Sequence, residues 1–234
     1  YDVLVVTGST WSVTDTDMIG SWIGREVEMV RAAHDAGVPV LGLCFGGQVL
    51  SAALGGEVRR VDTPEFGWHE VDTDLPDAIA PGPWFEWHYD EFTVPDGATE
   101  IARTAVSPQA FRIGRSVGTQ FHPEVTTELV DRWISMDEKE LRAHGVDPTV
   151  MAARSEEEAV GNRAPSHVLV DCFLDVVSFL CYTSAPSVDG THPPPASRTV
   201  LDSLDASRRP AAFSATPTLP RRGRVVTMAA GASQ

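Results

Sequence analysis

VPVLGLCFGGQVLSAALGG, residues 38–56, passes from an apolar run through a glycine-framed cysteine into a helical pattern that ends on two glycines. A short apolar run bounded in this way reads as a strand buried on both faces, followed by a helix over 46–54. Working back, DVLVVTG (2–8) is a second run of the same kind. Between Asp17 and Ala36, Ile19, Trp22, Ile23, Val27 and Val30 recur at helical spacing, and Gly37 is placed to close that single helix. Strand, helix, strand, helix predicts an α/β fold: a doubly wound, mainly parallel sheet flanked by helices.

Further along, EVRRV, FGWHEV, WFEWHYDEF and TEIART are short extended pieces, and AFRIGRSVGTQF (110–121) reads as a hairpin turning near Gly114. Mixed or antiparallel strands are expected there. From Thr126 to Tyr182 the pattern is helical, with Val168, Leu169, Cys172, Phe173, Val176 and Leu180 on one stripe. SEEEAV (155–160) reads as a solvated helix face. Residues 183–234, rich in Pro, Ser, Ala and Arg without periodicity, are expected to be a disordered tail. The domain is therefore placed at 1–182, and no internal repeat interrupts it.

Composition narrows the function classes. Of 234 residues, 42% are hydrophobic and 22% charged, an ordinary globular balance. A formal net charge of −15 argues against nucleic acid and anionic membranes as partners, because phosphates would be repelled. The sequence carries no apolar run of spanning length and no basic-then-apolar leader. Three cysteines, Cys44, Cys172 and Cys181, fit a reducing compartment better than a disulfide framework, and a cytoplasmic protein is expected. His34, His144, His167 and His192 have no companions at zinc-ligand spacing, and no phosphate-binding glycine motif occurs, so neither metal nor cofactor is expected.

Cys44 has two readings. It is either a small buried apolar residue or a nucleophile at a strand-to-helix turn. The second needs small neighbours, which Gly42, Gly46 and Gly47 supply, and gains from the helix N-terminus, where amides favour a thiolate and the Phe45 N–H can face an oxyanion. TQFHPEV (119–125) adds His122 and Glu124, two apart and so on one side of an extended chain. A carboxylate on one ring nitrogen fixes the tautomer and leaves the other to take the thiol proton. Alone, such a pair is commonly a surface contact. Together with the cysteine turn it makes a Cys-His-Glu candidate.

GLCFGGQ with FHPE resembles the class I (triad) glutamine amidotransferases, most closely proteins similar to the glutaminase domain of GMP synthetase. The resemblance runs from residue 1 to 182 and implies a flavodoxin-like three-layer sandwich. It implies that Cys44 attacks the side-chain amide of glutamine, His122 shuttles the proton and Glu124 orients it, with a glutamyl thioester as intermediate. TGSTWSV (7–13) resembles the oxyanion strand, implying that the N–H groups of Ser9 and Phe45 face the oxyanion, with Gly8 beside the substrate. Gln48 matches a position that contacts glutamine, and EFGWHEV a segment whose backbone holds its amino-acid end near Gly67 and Trp68. WHYDEF resembles a His-x-Asp segment on the ammonia-exit side, implying that His88 and Asp90, with Tyr89 and Glu91, meet a partner synthetase. The sequence departs from the family in three ways: two strands and a helix expected ahead of residue 2 are absent, Thr10 stands where proline is usual, and the tail has no counterpart. A fragment or mis-started product is therefore expected. A γ-glutamyl amide or peptide hydrolase and an inactive truncated relic are the alternative readings.

Overall fold

The structure is a computed structural model and describes residues 2–183 and 225–228, with side chains through 175 and at 225–227. Its elements are β1 (Val3–Val6), α1 (Thr16–Ile19), α2 (Ile23–Asp35), β2 (Val40–Leu43), α3 (Phe45–Ala53), β3 (Val58–His69), β4 (Asp72–Thr73) and β5 (Trp84–Phe92). There follow β6 (Thr99–Arg103), β7 (Pro108–Ile113), β8 (Ser116–Thr119), α4 (Thr127–Ala143), α5 (Pro148–Gly161), α6 (Arg163–Thr183) and β9 (Val225–Met228).

Seven strands form one sheet in the order β4-β6-β7-β8-β2-β1-β9. The half that holds the site, β8-β2-β1-β9, is parallel, and the other half is antiparallel. Alternation along the strands sends side chains to two layers. Leu4, Val6 and Val40 pack with Ile23 and Val30 of α2 and Val49, Leu50 and Ala53 of α3, while Val3, Leu41 and Leu43 pack on Phe173 of α6. Helices thus cover both faces, as the three-layer expectation requires. β3 and β5 pair outside this sheet as an antiparallel ribbon with an irregular register between Arg60 and Glu65.

The structure revises several local readings. The helix expected over 17–36 is two helices: the chain breaks at Gly20–Trp22, where the Gly20 amide returns to the Thr16 carbonyl and Trp22 leaves the helical region at φ −132°. Gly37 does close the second, at φ +73°. The 110–121 hairpin turns at Gly114–Arg115, with Ile113 opposite Ser116. On α6, Leu169 and Phe173 are buried but Val168 is 44% exposed, so the apolar stripe is narrower than its periodicity suggests; Val176 and Leu180 fall outside the described side chains. Of SEEEAV, Ser155 is fully buried and Val160 exposed. No structure was expected after 183, yet Val225–Met228 runs parallel to β1, Val3 facing Val225, and Val226 joins the core under α2 and α3. The remainder of 184–234 lies outside the described residues. No helix among the described residues is long and apolar enough to cross a membrane.

Candidate active site

The site lies where β2 ends and α3 begins. Cys44 is the N-cap of α3 and, among the described residues, the only non-glycine with positive φ, at φ 51° and ψ −108°. L-residues avoid this region, so the turn carries strain and must be held by its surroundings. They do hold it. The Cys44 N–H donates to the Thr119 carbonyl at 2.8 Å, and its own carbonyl accepts from Gln48 at 3.0 Å, the first bond of α3. A Cβ on Gly46 would strike the Val6 carbonyl, and one on Gly42 the Gly46 carbonyl. The glycine frame thus lets α3 pass within backbone contact of β1 and β2, fixing the cysteine at their carboxyl ends.

β8 continues into Gln120, Phe121 and His122. The His122 N–H donates to the Phe85 carbonyl of β5 at 2.8 Å, and its Nδ1–H donates to Glu124 Oε1 at 2.8 Å. The ring is 3% exposed and electrostatically coupled to Cys44, whereas the Glu124 side chain keeps about a third of its surface in solvent. Burial alone would pull the imidazole down, but Glu124 and the Cys44 sulfur outweigh it and hold His122 well above its ordinary value. Glu124 answers in the opposite sense: burial raises it, and His122 more than offsets this, leaving it below the carboxylate range. The Cys44 sulfur accepts from Gln120 Nε2 at 3.6 Å and lies 4.0 Å from the Trp87 carbonyl. The turn at Gly8 completes the enclosure, because a Cβ there would sit 3.1 Å from His122 Cε1 and 3.9 Å from Cys44 Cβ.

Sulfur, imidazole and carboxylate thus stand together beside a helix N-terminus whose first amides have no intrahelical acceptor, with the imidazole and carboxylate hydrogen-bonded. The family model described as glutamine amidotransferase class-I matches residues 1–138. The chain belongs to this family. Among its relatives, the glutamine-hydrolysing GMP synthase of Aeropyrum pernix is 40% identical over 129 residues, 49% of this chain and 25% of that protein. That of Aeromonas salmonicida is 39% identical over 142 residues, 53% of this chain and 25% of that protein. The chain thus spans about a quarter of the length of these relatives. A glutamine amidotransferase crystal structure from Thermotoga maritima superposes with a TM-score of 0.67 at 27% identity, covering 75% of this chain and 79% of that one.

Within the amidotransferase fold, the residues read from the sequence divide into two groups. Cys44, His122, Glu124 and Gly8 converge as described, and Phe45 opens α3 directly after Cys44 with its ring in the core. Gln48 is buried beside them, with Nε2 donating to the Asp90 carbonyl at 3.2 Å and to Gln120 Oε1 at 3.3 Å. Ser9 is half-buried, and its hydroxyl accepts from the Trp11 N–H. Gly67 adopts φ +93°, whereas the Trp68 ring turns away, packing on Phe85 and donating to Ser155 Oγ at 2.9 Å. Of the four residues expected to meet a partner, Tyr89 is half-buried. His88, Asp90 and Glu91 are each under 9% exposed, because β3 pairs along β5 and His88 is held by the Asp90 carbonyl at 3.0 Å and Glu65 Oε2 at 3.2 Å.

Three residues near the triad were not singled out from the sequence. Gln120 precedes a recognised motif but carries no signal of its own. Trp133 of α4 stands against His122, and Glu86 is a fully buried carboxyl on β5; both reach the site only through tertiary packing. Among the described residues no group of three or more His, Cys, Asp or Glu is arranged to hold a metal ion.

Proposed function

We propose that the chain is a glutaminase that releases ammonia from the glutamine side chain and passes it to a synthetase carried on a separate chain. The observation that carries this reading is Cys44 at a strained strand-to-helix turn, enclosed with an imidazole whose Nδ1 is fixed by Glu124. In the reaction, His122 takes the thiol proton and the thiolate adds to the amide carbon. The oxyanion is held by the Phe45 and Ser9 N–H groups. His122 then gives its proton to the departing nitrogen, the C–N bond breaks and a glutamyl thioester remains. Water, deprotonated by the same imidazole, hydrolyses the thioester to glutamate and restores the thiol. Glu124 does not transfer a proton; it keeps the tautomer and stabilises the imidazolium. Gly8, Gln48, Gly67 and Trp68 surround the substrate, the last two through their backbone, since the Trp68 ring is committed to Ser155. His88 and Asp90 stand on the side from which ammonia leaves toward the partner.

Steady-state hydrolysis of glutamine and of a γ-glutamyl dipeptide tests the proposal. A glutaminase prefers glutamine. A dipeptide kcat/KM exceeding that for glutamine by about ten-fold, roughly 1.4 kcal/mol of transition-state preference, would replace it with a γ-glutamyl hydrolase.

A further inference from the structure

We infer that Glu86 is a positioning residue for the Cys44–His122 pair, a buried carboxylic acid that must stay uncharged for the pair to work. The inference deepens the reading above, since it concerns the same sulfur and imidazole. The Glu86 side chain leaves β5 between the two carbonyls that touch that pair, Phe85 O on the His122 N–H at 2.8 Å and Trp87 O beside Cys44 Sγ at 4.0 Å. Phe85 and Trp87 point to the opposite side, into the aromatic cluster with Trp133. Glu86 is 0% exposed, and neither of its oxygens has a hydrogen-bond partner.

The nearby donors go to another carboxylate. Glu65 Oε2 on β3 accepts from His88 Nε2 at 3.2 Å, Thr104 Oγ1 at 3.1 Å, Ser107 Oγ at 3.4 Å and Gln109 Nε2 at 2.9 Å. His88 Nε2 is 3.5 Å from Glu86 Oε2 but closer to Glu65, and its Nδ1 faces the Asp90 carbonyl. One carboxyl is therefore built to be charged and its neighbour is not, because a buried anion without donors is far costlier than a buried acid. Burial first, then Glu65 and Cys44, push Glu86 well above the carboxylate range, and His122 opposes this only in part. The groups facing it are Glu65 from β3, His88 on β5, His122 beyond β8 and Cys44 at the β2–α3 turn.

Charge on Glu86 would place a second anion beside the sulfur that has to ionise, and would hold on His122 the proton that the leaving nitrogen needs. The group is neutral below its raised value and charged above it, so activity is lost as pH rises through that value. Two measurements on the full chain, compared with Glu86→Gln and Glu86→Met, decide the matter. Infrared spectra near neutral pH should show the carbonyl stretch of a protonated carboxylic acid in the wild type and lose it in both variants. The rate of Cys44 alkylation by iodoacetamide, followed against pH, should contain an ionisation that both variants lack. In the same samples kcat/KM for glutamine should fall with rising pH in the wild type, and the variant-to-wild-type ratio should climb about ten-fold per pH unit. No acid band in the wild type, a band that survives in the variants, or superimposable alkylation profiles would overturn the inference. A chain with the band and the altered alkylation profile but without glutamine turnover would instead overturn the proposed function and leave the inference standing.

Discussion

The rings of His122 and Trp133 stand 4.9 Å apart at 66° to one another, so α4 supplies an aromatic wall to an imidazole held on its other side by Glu124. Aromatic contacts of this kind contribute about 0.5–1.5 kcal/mol beyond their buried area. Trp133→Ala is therefore expected to lower kcat for glutamine hydrolysis by about ten-fold, and Trp133→Phe by less. Equal losses in the two variants would show that the aromatic contact is not what matters.

Gly8 leaves no room for a side chain, because its Cβ would meet His122 Cε1 at 3.1 Å. Gly8→Ala should displace the ring by a fraction of an ångström and cut kcat/KM by about 10²-fold, with little change in melting temperature. A variant with wild-type kinetics would mean that the ring has slack in this direction.

The strain at Cys44 predicts an ordering of stabilities. At φ 51° an alanine is strained and a glycine is not, so Cys44→Gly should be more stable than Cys44→Ala by about 1 kcal/mol in urea unfolding, although glycine costs more chain entropy. The reverse order would mean that the turn relaxes once the thiol is removed.

The His122–Glu124 pair also links stability to pH. His122 is raised in the folded chain, so its contribution is present below its unfolded value and lost as pH rises through the folded one. Glu124 is lowered, so its contribution is present above its unfolded value and lost as pH falls through the folded one. The stability lost in His122→Gln should accordingly be greatest near about pH 6 and shrink as pH rises. A loss independent of pH would show that the pair is held by packing rather than charge.

What could be read from the sequence was what is local. The glycines around Cys44, the His-x-Glu spacing and the run DVLVV state their geometry within a few residues, because each constrains its own backbone. Trp133 and Glu86 give no such signal: one is an aromatic on an amphipathic helix, the other an acid in an alternating strand, and only the packing of α4 and β3 against β5 shows what they touch. The partner-facing role of His88 and Asp90 comes from the resemblance of WHYDEF and not from their own pattern; their burial follows from pairing along β3 and hydrogen bonds that no pattern announces. Val225–Met228 was masked by its Pro- and Arg-rich surroundings, although its β-branched residues suit the edge beside β1.

If Cys44 is the covalent nucleophile, adduct mapping with a glutamine-analogue electrophile will show it. Cys172 gives an internal comparison, since burial and then Asp175, Asp171 and Asp77 push its thiol up. One equivalent of adduct is expected at Cys44, none at Cys172 or Cys181, with protection by glutamine and loss of the adduct in His122→Ala. Label spread equally over the three cysteines, or an unmodified Cys44 in folded protein, would contradict it.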